Sequence, residues 1–301
     1  MDMLKTAPPV YASPGVHKLA RELGVALAQV PVSAAHGRIT ADDVRSYVKR
    51  RLQGATLRAT TVPEKTADFA KFGPIEHHAL SRLRQRSGAA LQHNWTQIPH
   101  VTNHADADIT ELEAFRLTLN QEHGHTGVKF TLLSLIMKAC VVALKKHPHF
   151  NASLAGETLV LKRYYHFGFA TDTHHGLLVP VIRNADQKGL LDLAREAAAL
   201  AVKARDGKLA PQDMAGGSFT ISSLGGIGGT YFTPIINARE VAILGVGQCH
   251  TQVVWQEGQA LPRLILPLSL SWDHRAVDGA AAAHFNVCLA QTLADFRLAL
   301  L

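Results

Sequence analysis

Cysteine is scarce. Cys140, Cys249 and Cys288 are the three in 301 residues, too few and too widely spaced for a zinc pattern or a disulfide framework. The chain is therefore expected in a reducing compartment, and no metal site is predicted. Long apolar runs are missing too. Leu132–Leu144 is the most apolar stretch, falls short of the ~20 residues a membrane-spanning helix needs, and carries Lys138. No apolar signal segment opens the chain, so the expected location is the bacterial cytoplasm, or the mitochondrial matrix in a eukaryote, with no membrane partner. Among the seventeen histidines, the pairs His77-His78, His123/His125, His147/His149 and His174-His175 all lack the i, i+4 spacing with a glutamate that marks a zinc-protease helix.

An acidic balance is also absent. Residues 1–58 hold nine Lys/Arg against four Asp/Glu, and the rest of the chain holds 22 against 20. The net charge of +7 thus sits mostly in the first fifth, which implies an acidic partner there, either protein or nucleic acid. What the chain does have is core material: 47% hydrophobic residues, enough to bury a substantial interior in one large domain or two unequal ones.

Residues 11–48 read as a miniature helical domain. Ser13-Pro14 opens a helix whose stripe of Val16, Leu19, Ala20 and Leu23 ends at Gly24. A loop through Val30-Pro31 and Gly37 leads to Thr40, which caps a second helix over Ala41–Val48 with Asp42 and Asp43 in its first turn. Residues 1–10 read as a tail and 49–72 as a linker, since neither holds a sustained periodicity. From 73 to 301 helices and strands alternate. Helices are predicted over Ser81–Gln97, Ile109–Gln121, Thr131–His147, Leu190–Arg205 and Gly279–Leu298. Strands are predicted over Val101–Ala107, Tyr165–Thr171, Leu177–Ile182, Ser218–Ser222, Val241–Gly247 and Leu261–Trp272. That mixture argues for an α/β or α+β domain of about 230 residues.

The densest chemistry lies at the end of the last strand. Leu268, Leu270 and Trp272 alternate with small polar residues, and then Asp273, His274, Arg275 and Asp278 crowd into six positions before Gly279. A histidine held in such a turn is well placed as a general base, because its ordinary pKa lies close to operating pH. Read on its own, a histidine at such a place is more often a surface residue in a charged loop.

"DHRAVDG" (273–279) resembles the D-H-R-x-x-D-G signature of the acyltransferase components of 2-oxo acid dehydrogenase complexes. "GGSFTISSLGGIGGTYFTPIINAREVAILGVG" (216–247), "IPHVTNHADADITELEAFR" (98–116) and "TDTHHGLLVPVIRNAD" (171–186) are similar to further blocks of that family, in the same order. Within it, the G-x-I-G-G-T-x-F-T-P-I run is most similar to the acetyltransferases of pyruvate dehydrogenase. The N-terminal "ASPGVHKLARELGVAL" and "GRITADDV" resemble the family's peripheral subunit-binding domain.

The resemblance implies a chloramphenicol-acetyltransferase-like, two-layer α/β catalytic domain with a mixed sheet over 73–301, preceded by a small all-helical domain. It implies reversible acetyl transfer between a dihydrolipoyl thiol and coenzyme A. In that chemistry His274 takes the thiol proton, Ser222 stabilises the tetrahedral intermediate and Asp278 holds the site's geometry. It places coenzyme A against Arg116, Thr131, Asp172, Ser222, Ser223 and Gly247. It further implies homotrimers with active sites between subunits, built into a larger core. Lys18, Arg21 and Arg38 would then bind a 2-oxo acid dehydrogenase or dihydrolipoamide dehydrogenase component. Nothing in the chain resembles a lipoyl domain, so lipoate is expected on another segment or another protein. Departures from the family pattern are His17, Ala26 and Ser33-Ala34-Ala35 in the small domain, Gly226 in the glycine-rich block, and the His174-His175 pair.

Four rival readings carry less weight. A helix-turn-helix DNA reader joins its helices by a short turn, whereas about fifteen residues intervene here, so no nucleic-acid partner is expected. A metal enzyme lacks its ligand spacing. A cysteine acyl-enzyme lacks a placed base, and Cys140 and Cys288 fall in apolar helices. A catalytically weak adaptor is at odds with the intact His274, Ser222 and Asp278. Acyl preference stays open, with succinyl and branched-chain transfer as the alternatives.

Overall fold

Ser13 precedes Pro14 with extended backbone, and the proline's fixed φ starts α1 (Pro14–Glu22). The structure, a computed structural model, describes residues 11–33, 38–54, 68–174 and 176–300. The chain divides into two units, 1–77 and 78–301.

In the first unit, β1 (Tyr11–Ala12) runs parallel to β2 (Arg38–Ile39), so the expected all-helical domain carries a short strand pair. The second helix, α2, spans Ala41–Gly54 and continues well past Val48 into residues expected to be linker. Tyr47 supports that extension: its ring lies under the Arg51 guanidinium, and its hydroxyl accepts from Arg51 Nε. At the start of α2 a reciprocal cap forms. Asp43 N donates to Thr40 Oγ1, while Thr40 N and Oγ1 both donate to Asp43 Oδ2. The hydrogen bond from Ser33, and then those from Thr40, hold the Asp43 carboxyl below the usual range. Among the described residues Val16, Ala20, Val30, Ile39 and Val44 form the buried core, which leaves stability here dependent on such caps.

The second unit begins its helices with α3 (Arg82–Gln97), close to the predicted span, with Ser81 as its N-cap. Next come β3 (His100–Asp108), α4 (Thr110–Glu122) and α5 (Leu132–Lys146). At the start of α4 the capping carboxylate is Asp108, which accepts from both Thr110 N and Thr110 Oγ1; Thr110 itself is the first helical residue. Two hairpin strands missed from sequence follow, β4 (Ala152–Ala155) and β5 (Thr158–Leu161). The strands expected over 165–182 break into β6 (Phe167–Phe169), β7 (Thr171–Thr173), β8 (Gly176–Leu178) and β9 (Val181–Ile182). The remainder is α6 (Leu190–Arg205), β10 (Phe219–Ser223), β11 (Ala242–Val246), β12 (His250–Gln256), β13 (Gln259–Asp273) and α7 (Gly279–Ala294). The last helix stops at Ala294, short of the expected Leu298; Asp295 turns the chain and its carboxylate accepts from Arg297.

Seven strands form one mixed sheet in the order β12-β13-β11-β10-β6-β9, with β3 on the opposite edge of β13. The pairs β10–β11 and β10–β6 are parallel; β13 pairs antiparallel with β11, β12 and β3. Alternation along these strands sorts their side chains. Phe219, Ile221, Leu244, Leu268, Leu270 and Trp272 join the core beneath α5 and α7. Thr220, Ser222, Gly245, Ser269 and Ser271 point to the other face, where residues 224–240 form the cover.

That cover sits very close to the sheet. A β-carbon on Gly245 would lie 2.8–3.2 Å from the Phe232 ring, and one on Gly247 would lie 1.9 Å from the Thr230 carbonyl oxygen. Only glycine permits either approach. Asn94 Nδ2 donates to the Ile236 carbonyl, Ile236 N donates to His100 Nε2, and Phe232 N donates to Ser269 Oγ.

Glu240 closes the cover. Its side chain is buried, with Oε1 accepting from Thr220 Oγ1 and Asn237 Nδ2 and Oε2 left unpaired among the described residues. Burial pushes its pKa up from 4.5 to about 7, against the pull of Thr220, Lys162 and Asn237. Because the folded value exceeds the unfolded one, its contribution is complete below pH 4.5 and is lost as pH rises through 7. Unfolding midpoints measured from pH 4.5 to 8 should reveal a decline on the order of 3 kcal/mol that Glu240→Gln flattens. Parallel curves for the two proteins would contradict this assignment.

Candidate active site

β13 delivers His274. The strand ends at Asp273, a nearly fully buried carboxylate that accepts from Arg275 Nε, Nη2 and backbone N; its carbonyl accepts from Ala276 and Val277 N. A buried charge needs such partners, so the first aspartate and the arginine of the crowded turn serve each other. His274 N donates to the Pro99 carbonyl, and the imidazole lies exposed above Trp272, ring centroids 4.8 Å apart. Neither imidazole nitrogen has a hydrogen-bond partner among the described residues. Asp278 caps α7, its Oδ1 accepting from Ala281 N at 2.8 Å. Its carboxylate thus holds the turn to the first residues of α7.

Ser222 lies elsewhere. It pairs with Gly245 on β11, which pairs with Ser269 on β13, so Ser222 and Ser269 share one row and one face. His274 comes five residues beyond Ser269 and follows the parity of Trp272, on the opposite face. At ~3.4 Å per residue and ~4.8 Å per strand, the two groups stand on the order of 20 Å apart. Within one copy, therefore, the structure does not bring His274 and Ser222 together. The Ser222 hydroxyl is partly exposed and has no partner among the described residues, which leaves its proton free to donate.

The remaining predicted contacts form two groups. Ser223, next to Ser222, accepts from Gly225 N, while Leu224 N donates to the Val246 carbonyl and Gln248 N to the Gly229 carbonyl. Those bonds hold the glycine-rich run against Gly247, at the carboxyl ends of β10 and β11. β6 runs parallel to β10 with Phe169 level with Ile221, so β7 carries the exposed Asp172 to that same end. Arg116 and Thr131 form the second group. Arg116 Nη1 donates to the Phe130 carbonyl, one residue before the α5 cap Thr131. Its Nε and Nη2 are already taken by Glu113, at 2.7 and 2.6 Å, so fewer N–H groups face outward than a free guanidinium offers. Lys18, Arg21 and Arg38 are all exposed on the first unit. Cys140 is buried, and burial pushes its thiol pKa up, as befits a core residue.

Phe232 was not singled out from sequence. Its ring packs on Gly245, one strand from Ser222 on the same face. The one sequence signal was a glycine inside an otherwise apolar strand, Ala242–Val246, which marks a close approach.

Residues 73–301 match the 2-oxoacid dehydrogenases acyltransferase (catalytic domain) family, and residues 10–45 match the e3 binding domain. The dihydrolipoyllysine-residue acetyltransferase components of the pyruvate dehydrogenase complexes of Cupriavidus necator and Pseudomonas aeruginosa are similar to this chain. They are 55% and 52% identical to it over 98% and 97% of its length. It covers 56% and 55% of theirs, so the chain spans about half the length of the curated relatives it matches. The crystal structure of Azotobacter vinelandii dihydrolipoamide acetyltransferase superposes with a TM-score of 0.78 at 56% identity, over 79% of this chain and 99% of that one. A cubic core of the pyruvate dehydrogenase multienzyme complex superposes with the same score. In the Azotobacter protein a serine, a histidine and an asparagine were investigated for their role in catalysis. They are spaced as Ser222, His274 and Asp278 are here. With the catalytic-domain match extending from 73 to 301 and the mixed α/β fold shared with these acetyltransferases, the chain belongs to the 2-oxoacid dehydrogenase acyltransferase family.

Proposed function

We propose that this chain transfers an acetyl group between the thiol of a dihydrolipoyl group and that of coenzyme A, at a site completed by two copies of the chain. The observation that carries this reading is the separation just described. His274 and Ser222 each present polar atoms that lack a partner among the described residues, but from opposite faces of one sheet. A neighbouring copy that sets its Ser222 face against the His274 face of the first supplies base and donor to one channel. A closed homotrimer repeats that contact three times, and such trimers would build the larger core.

In this site the His274 imidazole takes the proton from the attacking thiol, which at neutral pH is only a few per cent ionised. The thiolate adds to the thioester carbonyl, and the tetrahedral oxyanion accepts a hydrogen bond from Ser222 Oγ. Collapse breaks the carbon–sulfur bond of the original thioester, and the imidazolium returns its proton to the departing sulfur. Asp278 keeps the turn and α7 in place. Coenzyme A would lie against Ser223, Gly247 and Asp172, with Arg116 and Thr131 at the far end. A phosphate there would share Arg116 with Glu113. The dihydrolipoyl group would arrive on a lipoyl domain outside these residues. Lys18, Arg21 and Arg38 give the small domain a basic surface for an acidic patch on a dehydrogenase component.

His274→Ala should lower turnover by at least about 10²-fold, and Ser222→Ala should lower kcat by about 10²-fold with KM little changed. Co-expressing the two variants and purifying mixed assemblies tests the shared site. With random mixing about one site in four draws an intact histidine and an intact serine from different copies, so about a quarter of normal activity should return. Mixed assemblies as inactive as either variant would refute a site built from two copies.

Phe232 favours acetyl over bulkier acyl groups, because its ring occupies space beside Ser222. Phe232→Ala should raise kcat/KM for isobutyryl-coenzyme A relative to acetyl-coenzyme A by roughly tenfold or more. An unchanged ratio would remove this ring from the acyl pocket.

A further inference from the structure

The imidazole of His274 rests on a platform with its own anchor. Trp272 is 1% exposed, and its indole ring contacts the imidazole at 4.8 Å between centroids, tilted by 42°. The indole does not depend on packing alone. Its Nε1–H donates to Asn103 Oδ1 at 2.9 Å, across the β13–β3 pair. Asn103 is held in turn by the ladder, pairing with Leu270, and its carbonyl accepts from Asn286 Nδ2 of α7 at 3.5 Å. Asn286 is itself 4% exposed. A line of contacts thus runs from α7 through β3 to the indole and from there to the imidazole.

The geometry points to Trp272 and Asn103 as positioning residues for the His274 base. The inference rests on the acyl-transfer reading above. The physical case is one of freedom. His274 is exposed and its ring nitrogens lack partners among the described residues, so only backbone and ring contacts limit its rotamers. The His274 N bond to the Pro99 carbonyl fixes the root of the side chain. The indole face below removes the rotamers that would turn the ring into the sheet. Fixing the indole plane through its N–H then sets the height and tilt of the imidazole. A general base must be presented within a narrow angle of the thiol proton, and small misplacements cost large factors in rate. Neither residue touches substrate in this arrangement, so the loss should fall on kcat.

The test uses the whole chain. Asn103→Leu keeps the side chain's bulk but deprives the indole N–H of its acceptor. Acetyl transfer should slow five- to twentyfold in kcat, with KM for both substrates within about twofold, and Asn103→Asp, which keeps an acceptor oxygen, should recover most of the rate. A second readout is independent of activity. With Trp95 and Trp255 replaced by phenylalanine, Trp272 is the remaining one of the chain's three tryptophans. Imidazolium quenches indole emission on contact. Trp272 fluorescence should therefore drop as His274 protonates, the drop should vanish in His274→Gln, and it should weaken in Asn103→Leu. If Asn103→Leu folds poorly, Trp272→Phe, which keeps a ring and loses the N–H, replaces it and should lower kcat by a similar factor. An Asn103→Leu or Trp272→Phe protein with unaltered kcat, a loss confined to KM, or quenching unaffected by Asn103→Leu would overturn the assignment. If the wild-type chain transfers no acetyl group while the quenching behaves as described, the functional reading fails and the contact stands.

Discussion

One strand sets the terms for everything else in the larger unit. β13 is fifteen residues long, pairs along both edges, and alternates so that Leu268, Leu270 and Trp272 enter the core while Ser269 and Ser271 face the cover. A shift of one residue in its register would exchange those two sets and bury hydroxyls among leucines. The apolar burial of Leu268, Leu270 and Trp272, each contributing about 2 kcal/mol or more, therefore also fixes the face from which His274 emerges.

That constraint carries over to the partners of β13. Register with β11 and β10 places Ser222 in the row of Ser269, and hence on the face away from His274. The 224–240 segment lies against that face only because Gly245 and Gly247 make way for the Phe232 ring and the Thr230 carbonyl. At the other end, Asp273 draws Arg275 and two backbone N–H groups around it and shapes the turn that presents the imidazole. The same pleat that builds a well-packed core thus parts the two groups proposed for acyl transfer, which is why the proposed site draws on two copies.

Much of this was legible in the sequence where local signals were strong. Ser81, Pro14 and the apolar period of Leu190–Arg205 marked helices that the structure contains. The turn 273–279 stood out by its density of ionisable groups, and the resemblance of its motif to a family gave His274 and Asp278 their expected roles. Long-range geometry was not legible. Alternation along one strand does not reveal which residue of another strand shares its row, so the parity that separates Ser222 from His274 appeared only with the register. Short irregular pairs such as β4–β5 lack a clear period, and α2 outran its expected end through a stacking contact between Tyr47 and Arg51. The resemblance places Arg116 against coenzyme A; its ion pair with Glu113, three residues earlier on the same helix, becomes evident only when the side chains are placed.

A structure of the assembled chain with coenzyme A bound, determined by electron cryomicroscopy, would reveal whether two copies share each site. The imidazole of His274 from one copy and the hydroxyl of Ser222 from its neighbour should lie on opposite sides of the coenzyme's sulfur, each within hydrogen-bonding reach of the reacting atoms. A map in which His274 opens to bulk solvent, with no neighbouring Ser222 lining the same channel, would contradict a shared site.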